Sequence, residues 1–234
     1  MGDSGGRGRP GRPRRVPDTG TLSPRDQILD AAAALFVAHG FAGTSTRMIA
    51  ERVGIRQASL YYHYAGKDDI LADLLSSSVR PSLDRIRALE DRSAAGGTID
   101  GGALLYAAVL IDVRTLAATS HNVGTLYLLP EIQHERFDAF RAEREDLRVT
   151  YDRLGRAASR AAGGATLGET DGLLGDLLIQ LAETVIQLRR TREPRPEDAH
   201  AIAGACLRIC GAESAIVERA RRGAIALLED ALVN

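Results

Sequence analysis

The chain has 234 residues, of which 44% are hydrophobic and 26% charged, and its formal net charge is −1 at pH 7. A chain of this length and composition buries enough apolar surface for one or two folded domains, which excludes a wholly disordered protein. The opening residues have no apolar run for export, and no later stretch holds about 18 uninterrupted apolar residues. We therefore expect a cytoplasmic protein that makes no membrane contact.

Catalytic and metal-binding signals do not appear at mechanistic spacing. Neither a nucleophile elbow nor a phosphate loop occurs, so we predict no enzyme activity, no metal and no cofactor. Cys206 and Cys210 stand four residues apart in a segment that reads as helical. Two cysteines are too few for a disulfide framework, so we interpret both as small core residues, with a redox or metal pair as the alternative.

Charge is distributed unevenly along the chain. Residues 1–67 hold ten Arg and Lys against five Asp and Glu, a balance of +5, whereas residues 68–234 carry −6. This asymmetry is typical of a polyanion-binding head joined to an ordinary globular body, although a basic tail produces part of it. Residues 1–20 are rich in Gly, Pro and Arg, and we expect them to form a disordered basic arm.

Regular structure is predicted to begin at Ser23, as the N-cap of a helix with Pro24 in its first position and Asp26 in its third. Apolar residues then recur at helical spacing as far as Gly40. Two short helices at about 46–52 and 57–63 follow, and Gly54 permits the tight turn between them. This spacing predicts a three-helix domain with a helix-turn-helix, over residues 21–67.

The pattern after residue 67 is helical almost throughout, without strand alternation. We predict a short helix at 122–129, and long helices at 67–91, 103–119, 131–161, 172–190 and 197–231, the last with a break near 211–213. The fold class is therefore all-α, with a larger helical domain over residues 68–234.

Aromatic side chains crowd one short stretch, "ASLYYHYAGK", where Tyr61, Tyr62 and Tyr64 account for three of the six tyrosines in the chain. On a helix that begins near residue 57, Leu60 and Tyr64 share the inward face. Phenol and imidazole groups on the outer face suit phosphate, sugar and thymine methyl groups. Half-buried packing between helices is the alternative. The outward residues are Ala58, Ser59, Tyr61, Tyr62 and His63.

The segment "TSTRMIAERVGIRQASLYYHYAGKDDIL" closely resembles the DNA-binding head of the TetR family of bacterial repressors, and the resemblance extends over about residues 23–75. It implies that Thr46 bonds a phosphate, that Arg47 reaches a guanine edge and that Gln57 reads adenine or guanine. It also places Ala58 and Ser59 near base edges, although some members of the family carry proline where this chain has Ala58.

The same resemblance implies contacts on either side of these base readers. Tyr61 would touch a thymine methyl group or a phosphate, and the residues implied to hold the DNA backbone are Tyr62, His63 and Lys67. The larger domain would bind a small-molecule effector and form a homodimer on a palindromic operator in double-stranded DNA, most simply as a repressor. A ligand-independent architectural DNA-binding protein is the alternative.

The basic arm carries a motif of its own, "RGRP" at residues 7–10, which looks like the core of an AT-hook. Proline keeps such an arm extended, and narrow A·T minor grooves attract arginine. We therefore predict minor-groove or phosphate contacts by Arg7 and Arg9, with an idle solvated tail as the alternative.

The predicted helix 103–119 is apolar on nearly every side, so it should run through the middle of its domain. Arg114 on this helix would then need a buried acceptor, such as Asp138 or an oxygen of a ligand, unless its side chain extends to the surface. Other polar tips on apolar bodies, including His121 and His134, suit either a small-molecule pocket or the core. The residues predicted to bind the ligand are Tyr106, Arg114, Asn122, Tyr127 and Tyr151.

An apolar seam with alternating spacings of four and three residues runs along the predicted helix 172–190. Small residues at Ala203, Gly204, Ala205 and Gly211 would allow close helix approach nearby. The seam predicts a four-helix interface between two copies, and an intramolecular bundle explains it nearly as well. Its members are Leu174, Leu178, Leu181, Val185 and Leu188.

Overall fold

The computed structural model describes residues 22–95, 100–163 and 172–233, and every regular element in those ranges is helical. The chain divides into two compact units, Met1–Ile70 and Leu71–Asn234. Each unit has its own core, as expected for an N-terminal helix-turn-helix domain followed by a larger helical domain. The predicted arm, residues 1–20, lies outside the described residues.

Three helices build the first unit, and the local sequence explains where they begin and end. α1 spans Pro24–His39, α2 spans Thr46–Val53 and α3 spans Gln57–His63. The Ser23 hydroxyl caps α1 by accepting from the Asp26 amide N–H at 3.2 Å. Ser45 caps α2 in the same way, accepting from the Met48 amide at 3.2 Å.

The turn between α2 and α3 depends on Gly54. This residue has φ 78° and ψ 26°, the left-handed conformation that a side chain with a Cβ adopts at a cost. Its amide N–H and that of Ile55 reach back to the end of α2, at the carbonyls of Ala50 and Glu51. The chain therefore changes direction within three residues, and α3 packs against α2. The buried residues of these two helices are Ile49, Ala50 and Leu60.

The second unit contains the other helices of the described ranges. α4 runs from Lys67 to Ala95, so its first residues belong to the first unit. The helices that follow are α5 (Gly101–Ala118), α6 (Asp138–Ala161), α7 (Leu173–Ala182), α8 (Thr184–Thr191), α9 (Pro196–Ile209) and α10 (Ser214–Val233). The predicted break near 211–213 is confirmed by the turn between α9 and α10.

Three predicted helices differ from the structure. Residues 131–137 are not part of α6, because the chain forms two 3-10 turns, Pro130–Gln133 and Glu135–Phe137, separated by extended His134. The predicted helix 172–190 is divided into α7 and α8 at Glu183. A further 3-10 turn, Val123–Leu126, replaces the short helix predicted at 122–129.

α5 is the central helix of the second unit and contacts α6, α7, α8, α9 and α10. Among the described helices it alone is long and apolar enough to cross a membrane, and 67% of it is buried by its neighbours in the manner of a core helix. The prediction that this segment runs through the middle of its domain is therefore confirmed.

The ionisable residue that α5 buries is not the predicted one. Arg114 is exposed, so it needs no internal acceptor, and the carboxylate of Asp138 pairs with Arg141 instead. Asp112, two residues earlier, is only 3% exposed and accepts a hydrogen bond from the Tyr151 hydroxyl at 3.0 Å. The two positions differ by about 200° around the helix, which explains their opposite environments.

The apolar seam lies largely inside one chain. Leu174, Leu178 and Val185 are buried in the second unit, so they cannot reach a partner, which corresponds to the intramolecular alternative. α7 packs closely on α6 because Gly155 leaves room for Leu174 and Leu178, whose side-chain carbons would lie within 3.0 Å of an added Cβ. Leu181 and Leu188 remain partly exposed. Ala203 and Gly204 are also buried within the chain.

Cys206 and Cys210 are free thiols in the core of the second unit. Burial raises the pKa of Cys206 to about 12 and that of Cys210 to about 11, so both thiols stay protonated and unreactive at neutral pH. The described residues contain no group of three metal-ligating side chains. The two cysteines therefore fit the small-core interpretation.

We predict that Gly54→Ala destabilises the first unit by roughly 1–2 kcal/mol, because alanine must adopt the left-handed conformation of the turn. The matched control is Gly66→Ala, since a Cβ added at Gly66 meets nothing within 4 Å and its φ is not positive. Denaturant unfolding, followed by hydrogen exchange of the α2 and α3 amides, measures both variants. Equal stability of the two variants would contradict the turn geometry.

Candidate functional site

Six of the seven residues of α3 are exposed, and only Leu60 is buried. Tyr62 is the most open aromatic side chain, at 87% exposed, and Tyr61 is 50% exposed. The rings of Tyr62 and His63 meet edge to face at 5.2 Å. The exposed set includes every α3 residue predicted to contact DNA, namely Gln57, Ala58, Ser59, Tyr61, Tyr62 and His63. Half-buried packing therefore does not describe this helix.

Three of the predicted DNA-contact residues join in one hydrogen-bonded ring across α2 and α3. The Gln57 Nε2 group donates to Thr46 Oγ1 at 3.0 Å and to the Tyr61 hydroxyl at 3.3 Å. The Thr46 and Tyr61 hydroxyls share a third hydrogen bond at 3.2 Å. The start of α2 and the outer face of α3 thus form one polar surface, which we call the recognition surface: Thr46, Arg47, Gln57, Ala58, Ser59, Tyr61, Tyr62 and His63.

Arg47 projects from the same end of α2 and is 77% exposed along its side chain. Its Nε donates to Glu51 Oε1 at 2.9 Å, one turn further along the helix, and this hydrogen bond raises the pKa of the guanidinium. Exposed pairs of this kind contribute little to stability. The guanidinium can therefore exchange Glu51 for another acceptor at small cost.

Lys67, the only lysine in the chain, has internal partners that the sequence did not predict. Its ammonium donates to the carbonyl of Phe41 at 3.0 Å and to that of Thr44 at 3.2 Å, and it lies 4.3 Å from the centre of the Phe41 ring. These hydrogen bonds connect the loop between α1 and α2 to the start of α4. Only one of the three ammonium hydrogens is left for a phosphate, so Lys67 also positions the start of α2.

The predicted ligand-binding tyrosines of the second unit all have partners inside the protein. Tyr106 is hydrogen-bonded to Nδ1 of His200 at 2.9 Å, and Tyr127 shares a hydrogen bond with Ser78 at 2.9 Å. Tyr151 donates to Asp112. All three are at most 5% exposed, which fits the core alternative for each of them.

The five predicted ligand-binding residues have different environments in the described part of the second unit. Arg114 lies on the exposed side of α5, and the Asn122 amide donates to the carbonyl of Ile186 at 2.8 Å. A cleft of about 250 Å³ opens instead between α6 and α7. Its lining residues are Ile132, Phe140, Arg141, Arg144, Glu145, Arg148, Asp176, Ile179 and Gln180.

Three arginines on one face of α6 give this cleft its chemical character. Arg141, Arg144 and Arg148 follow spacings of three and four residues, a helical pattern in the sequence that lies outside the predicted ligand-binding set. Each is held by acceptors of the protein: Arg141 by Asp138 and the His134 carbonyl, Arg144 by Glu183, and Arg148 by Glu145 and the Gly172 carbonyl. The guanidinium of Arg144 also lies 4.6 Å from the centre of the Tyr127 ring.

Comparison with known proteins connects the recognition surface to a family. The sequence profile described as "Bacterial regulatory proteins, tetR family" matches residues 28–74, which include α2, α3 and most of α1. The HTH-type transcriptional repressor KstR2 of Rhodococcus jostii is 33% identical over 123 residues. The aligned segment covers 51% of this chain and 57% of that relative.

Solved structures extend the similarity over almost the whole chain. The crystal structure of Mycobacterium smegmatis AmtR shares 37% identity and a TM-score of 0.79, covering 92% of this chain and 98% of that protein. The structure of the ketosteroid transcriptional regulator KstR2 of Mycobacterium tuberculosis shares 20% identity and a TM-score of 0.60, covering 81% of this chain and 94% of that one. The second comparison supports the fold alone.

We predict that Asp112→Asn stabilises the protein near neutral pH. Burial raises the pKa of Asp112 to about 6, from 3.8 for the free group. Because the pKa is raised in the folded state, the protonated carboxyl makes its full contribution to the free energy of unfolding below pH 4. That contribution is lost as the pH rises through 6, a change of roughly 3 kcal/mol. Asparagine cannot ionise and still accepts a hydrogen bond from Tyr151, so the advantage of the variant should grow from pH 4 to pH 7.

Denaturant unfolding at several pH values measures this advantage. Asp84→Asn is the control, because Asp84 is exposed on α4. A variant that loses stability relative to the parent as the pH rises would refute the assignment of a costly buried carboxylate.

Proposed function

This chain belongs to the TetR family of bacterial regulatory proteins, which bind DNA and regulate transcription, and we propose that it is a repressor released from its operator by a small-molecule effector. In this proposal it binds a palindromic operator in double-stranded DNA as a homodimer. One observation carries the proposal. α3 is held by a single buried residue, Leu60, and turns every other side chain outward, as a helix that enters the major groove must.

The recognition surface supplies the groups for both kinds of contact. We assign base contacts to Arg47 and Gln57, since guanidinium and amide groups match the hydrogen-bonding edges of bases in the major groove. We assign Thr46, Tyr61, Tyr62 and His63 to phosphate, sugar and thymine methyl groups. Arg7 and Arg9 of the arm would add sequence-independent affinity that falls as the salt concentration rises.

The homodimer requires apolar surface that one chain leaves uncovered. Leu173 and Leu177 on α7, and Val149 on α6, are large apolar residues that remain exposed in the second unit. Gly175 of α7 lies close to the backbone of Arg148 in α6, so these exposed side chains occur where the two helices pack together. We propose that a second copy covers them, together with the partly exposed Leu181 and Leu188.

The effector site that we propose is the cleft between α6 and α7. Three guanidinium groups converge on it from α6, whereas its apolar wall is formed by Ile132, Phe140 and Ile179. Such a combination favours a small organic anion with an apolar body. An anion that drew Arg144 away from Glu183, or Arg148 away from the Gly172 carbonyl, would repack α6 against α7, which gives the effector a structural route to alter the dimer.

We predict that replacing Arg47 weakens operator binding, whereas replacing its partner Glu51 on α2 does not. Arg47→Ala should weaken operator binding by about 1–3 kcal/mol and relax the preference at one base pair of each half-site. Glu51→Ala removes the same helix pair but keeps the guanidinium and removes a negative charge from the surface, so it should not weaken binding. Gel-shift titrations against the operator and a scrambled duplex measure both variants.

If Arg47 acted only within the helix, the two variants would bind the operator alike, and that result would refute the contact. The same titrations test the alternative of an architectural DNA-binding protein. Two chains bound to one palindromic duplex, with weak binding to scrambled DNA, support the regulator. Equal coating of both duplexes would favour the architectural function.

We also predict that at least one small organic acid stabilises the parent chain and releases it from the operator. Arg148→Gln should abolish both responses, because Arg148 lines the cleft. Arg153→Gln is the matched control, since Arg153 lies on the same helix but pairs with Glu90 outside the cleft. A thermal-shift screen followed by gel shifts tests this. Responses that are identical in the parent and Arg148→Gln would exclude the cleft as the effector site.

A further inference from the structure

The hydrogen-bonded ring on the recognition surface fixes which atoms of Gln57 remain available. An amide side chain has two hydrogens on Nε2 and a carbonyl oxygen, Oε1, that only accepts. Nε2 donates two hydrogen bonds within the protein, to Thr46 and to Tyr61, and these equal its hydrogens in number. Oε1 is therefore the group that Gln57 can offer to a base.

A count of the hydroxyl hydrogens completes the description of the ring. Thr46 and Tyr61 each carry one hydroxyl hydrogen, and one of the two forms the hydrogen bond between them. The other hydroxyl hydrogen points away from the ring. The ring thus presents one acceptor, Oε1, and one hydroxyl donor, which suits a phosphate oxygen next to the base that Gln57 contacts.

The major groove distinguishes bases by the groups that they present. Adenine and cytosine offer exocyclic amino hydrogens, whereas guanine and thymine offer only acceptors at the corresponding edge. A glutamine that binds adenine in bidentate fashion must donate from Nε2 to N7. A glutamine whose Nε2 hydrogens are already occupied can only accept, so it binds the amino group alone.

We propose that Thr46 and Tyr61 set the base preference of Gln57 by occupying both of its amide hydrogens, so that Gln57 recognises the amino group of adenine or cytosine. The inference rests on the proposed function, because it concerns how the recognition surface reads DNA. Thr46 and Tyr61 act here as positioning residues for Gln57, in addition to their own contacts with the DNA backbone.

The ring should persist in the complex for an electrostatic reason. Hydrogen bonds strengthen when water is excluded, and polar groups that lose their partners in a dry interface are costly. Withdrawing Nε2 toward a base would remove the donor from Thr46 or from Tyr61. The arrangement in which Nε2 stays in the ring and Oε1 faces the base satisfies all three side chains together.

The test begins with selection of an operator from a randomised duplex library by the full chain. Gln57→Ala then identifies the base that Gln57 contacts, as the position where preference is lost. At that position we expect the parent to favour adenine or cytosine over guanine and thymine by about tenfold. Thr46→Val and Tyr61→Phe, combined, free both Nε2 hydrogens, and we expect them to bring the four bases to within about threefold of one another.

Where the selected base is adenine, base analogues show whether Gln57 contacts its amino group or its N7. Purine, which lacks the amino group, should weaken binding by the parent about tenfold, whereas 7-deazaadenine, which lacks N7, should change it less than about twofold. In the double variant 7-deazaadenine should become costly, because a freed hydrogen can now reach N7. Ser77→Ala, which removes an exposed hydroxyl of α4 outside the recognition surface, should keep the analogue pattern of the parent.

The outcomes separate this inference from the proposed function. A selected operator with guanine or thymine at the Gln57 position would overturn the inference and leave the regulator intact. So would a strong effect of 7-deazaadenine on the parent, an unchanged base preference in the double variant, or a Gln57→Ala variant that loses preference nowhere. Failure to select any duplex would overturn the proposed function and this inference with it.

Discussion

The burial of Leu60 is the interaction on which the recognition surface depends. α3 has seven residues, too few to be stable alone in water, and Leu60 is the one side chain of the helix that is buried. Gly54 turns the chain sharply enough for α3 to pack against α2, where Ile49 and Ala50 are also buried. Because one residue anchors the helix, the other six are free for recognition. Lys67 adds a second constraint, because its ammonium is hydrogen-bonded to carbonyls of the loop that precedes α2.

The second unit differs, since Tyr106, Tyr127 and Tyr151 face inward and have hydrogen-bond partners there. α5 is surrounded by helices, and the tyrosines near it are bonded to Ser78, Asp112 and His200. These pairs specify how the helices pack, and the buried carboxylate of Asp112 opposes folding above pH 6. The convergent guanidinium groups of α6 lie at the edge of this core, where an anion can reach them.

Local signals in the sequence predicted the first unit well. Ser23, Pro24 and Gly54 act on their own neighbours, so the bounds of α1 to α3 follow from them with errors of about one residue. The contacts that depend on tertiary structure were missed. A helix that is apolar on every side gives no period from which to tell that Asp112 points inward and Arg114 outward. A regular seam likewise shows that Leu174 and Leu178 share a face, but not whether the same chain or a second copy covers it. The partners of Lys67 are distant in sequence, and no spacing rule indicates them.

DNA recognition by α2 and α3 can be tested by amide hydrogen exchange of the full chain, with and without its selected operator. We expect the operator to slow exchange in α2 and α3, residues 46–63, more than in any helix of the second unit, and a scrambled duplex to have a much smaller effect. Unchanged exchange across residues 46–63, in a sample that binds the operator, would contradict the assignment of this surface to DNA recognition.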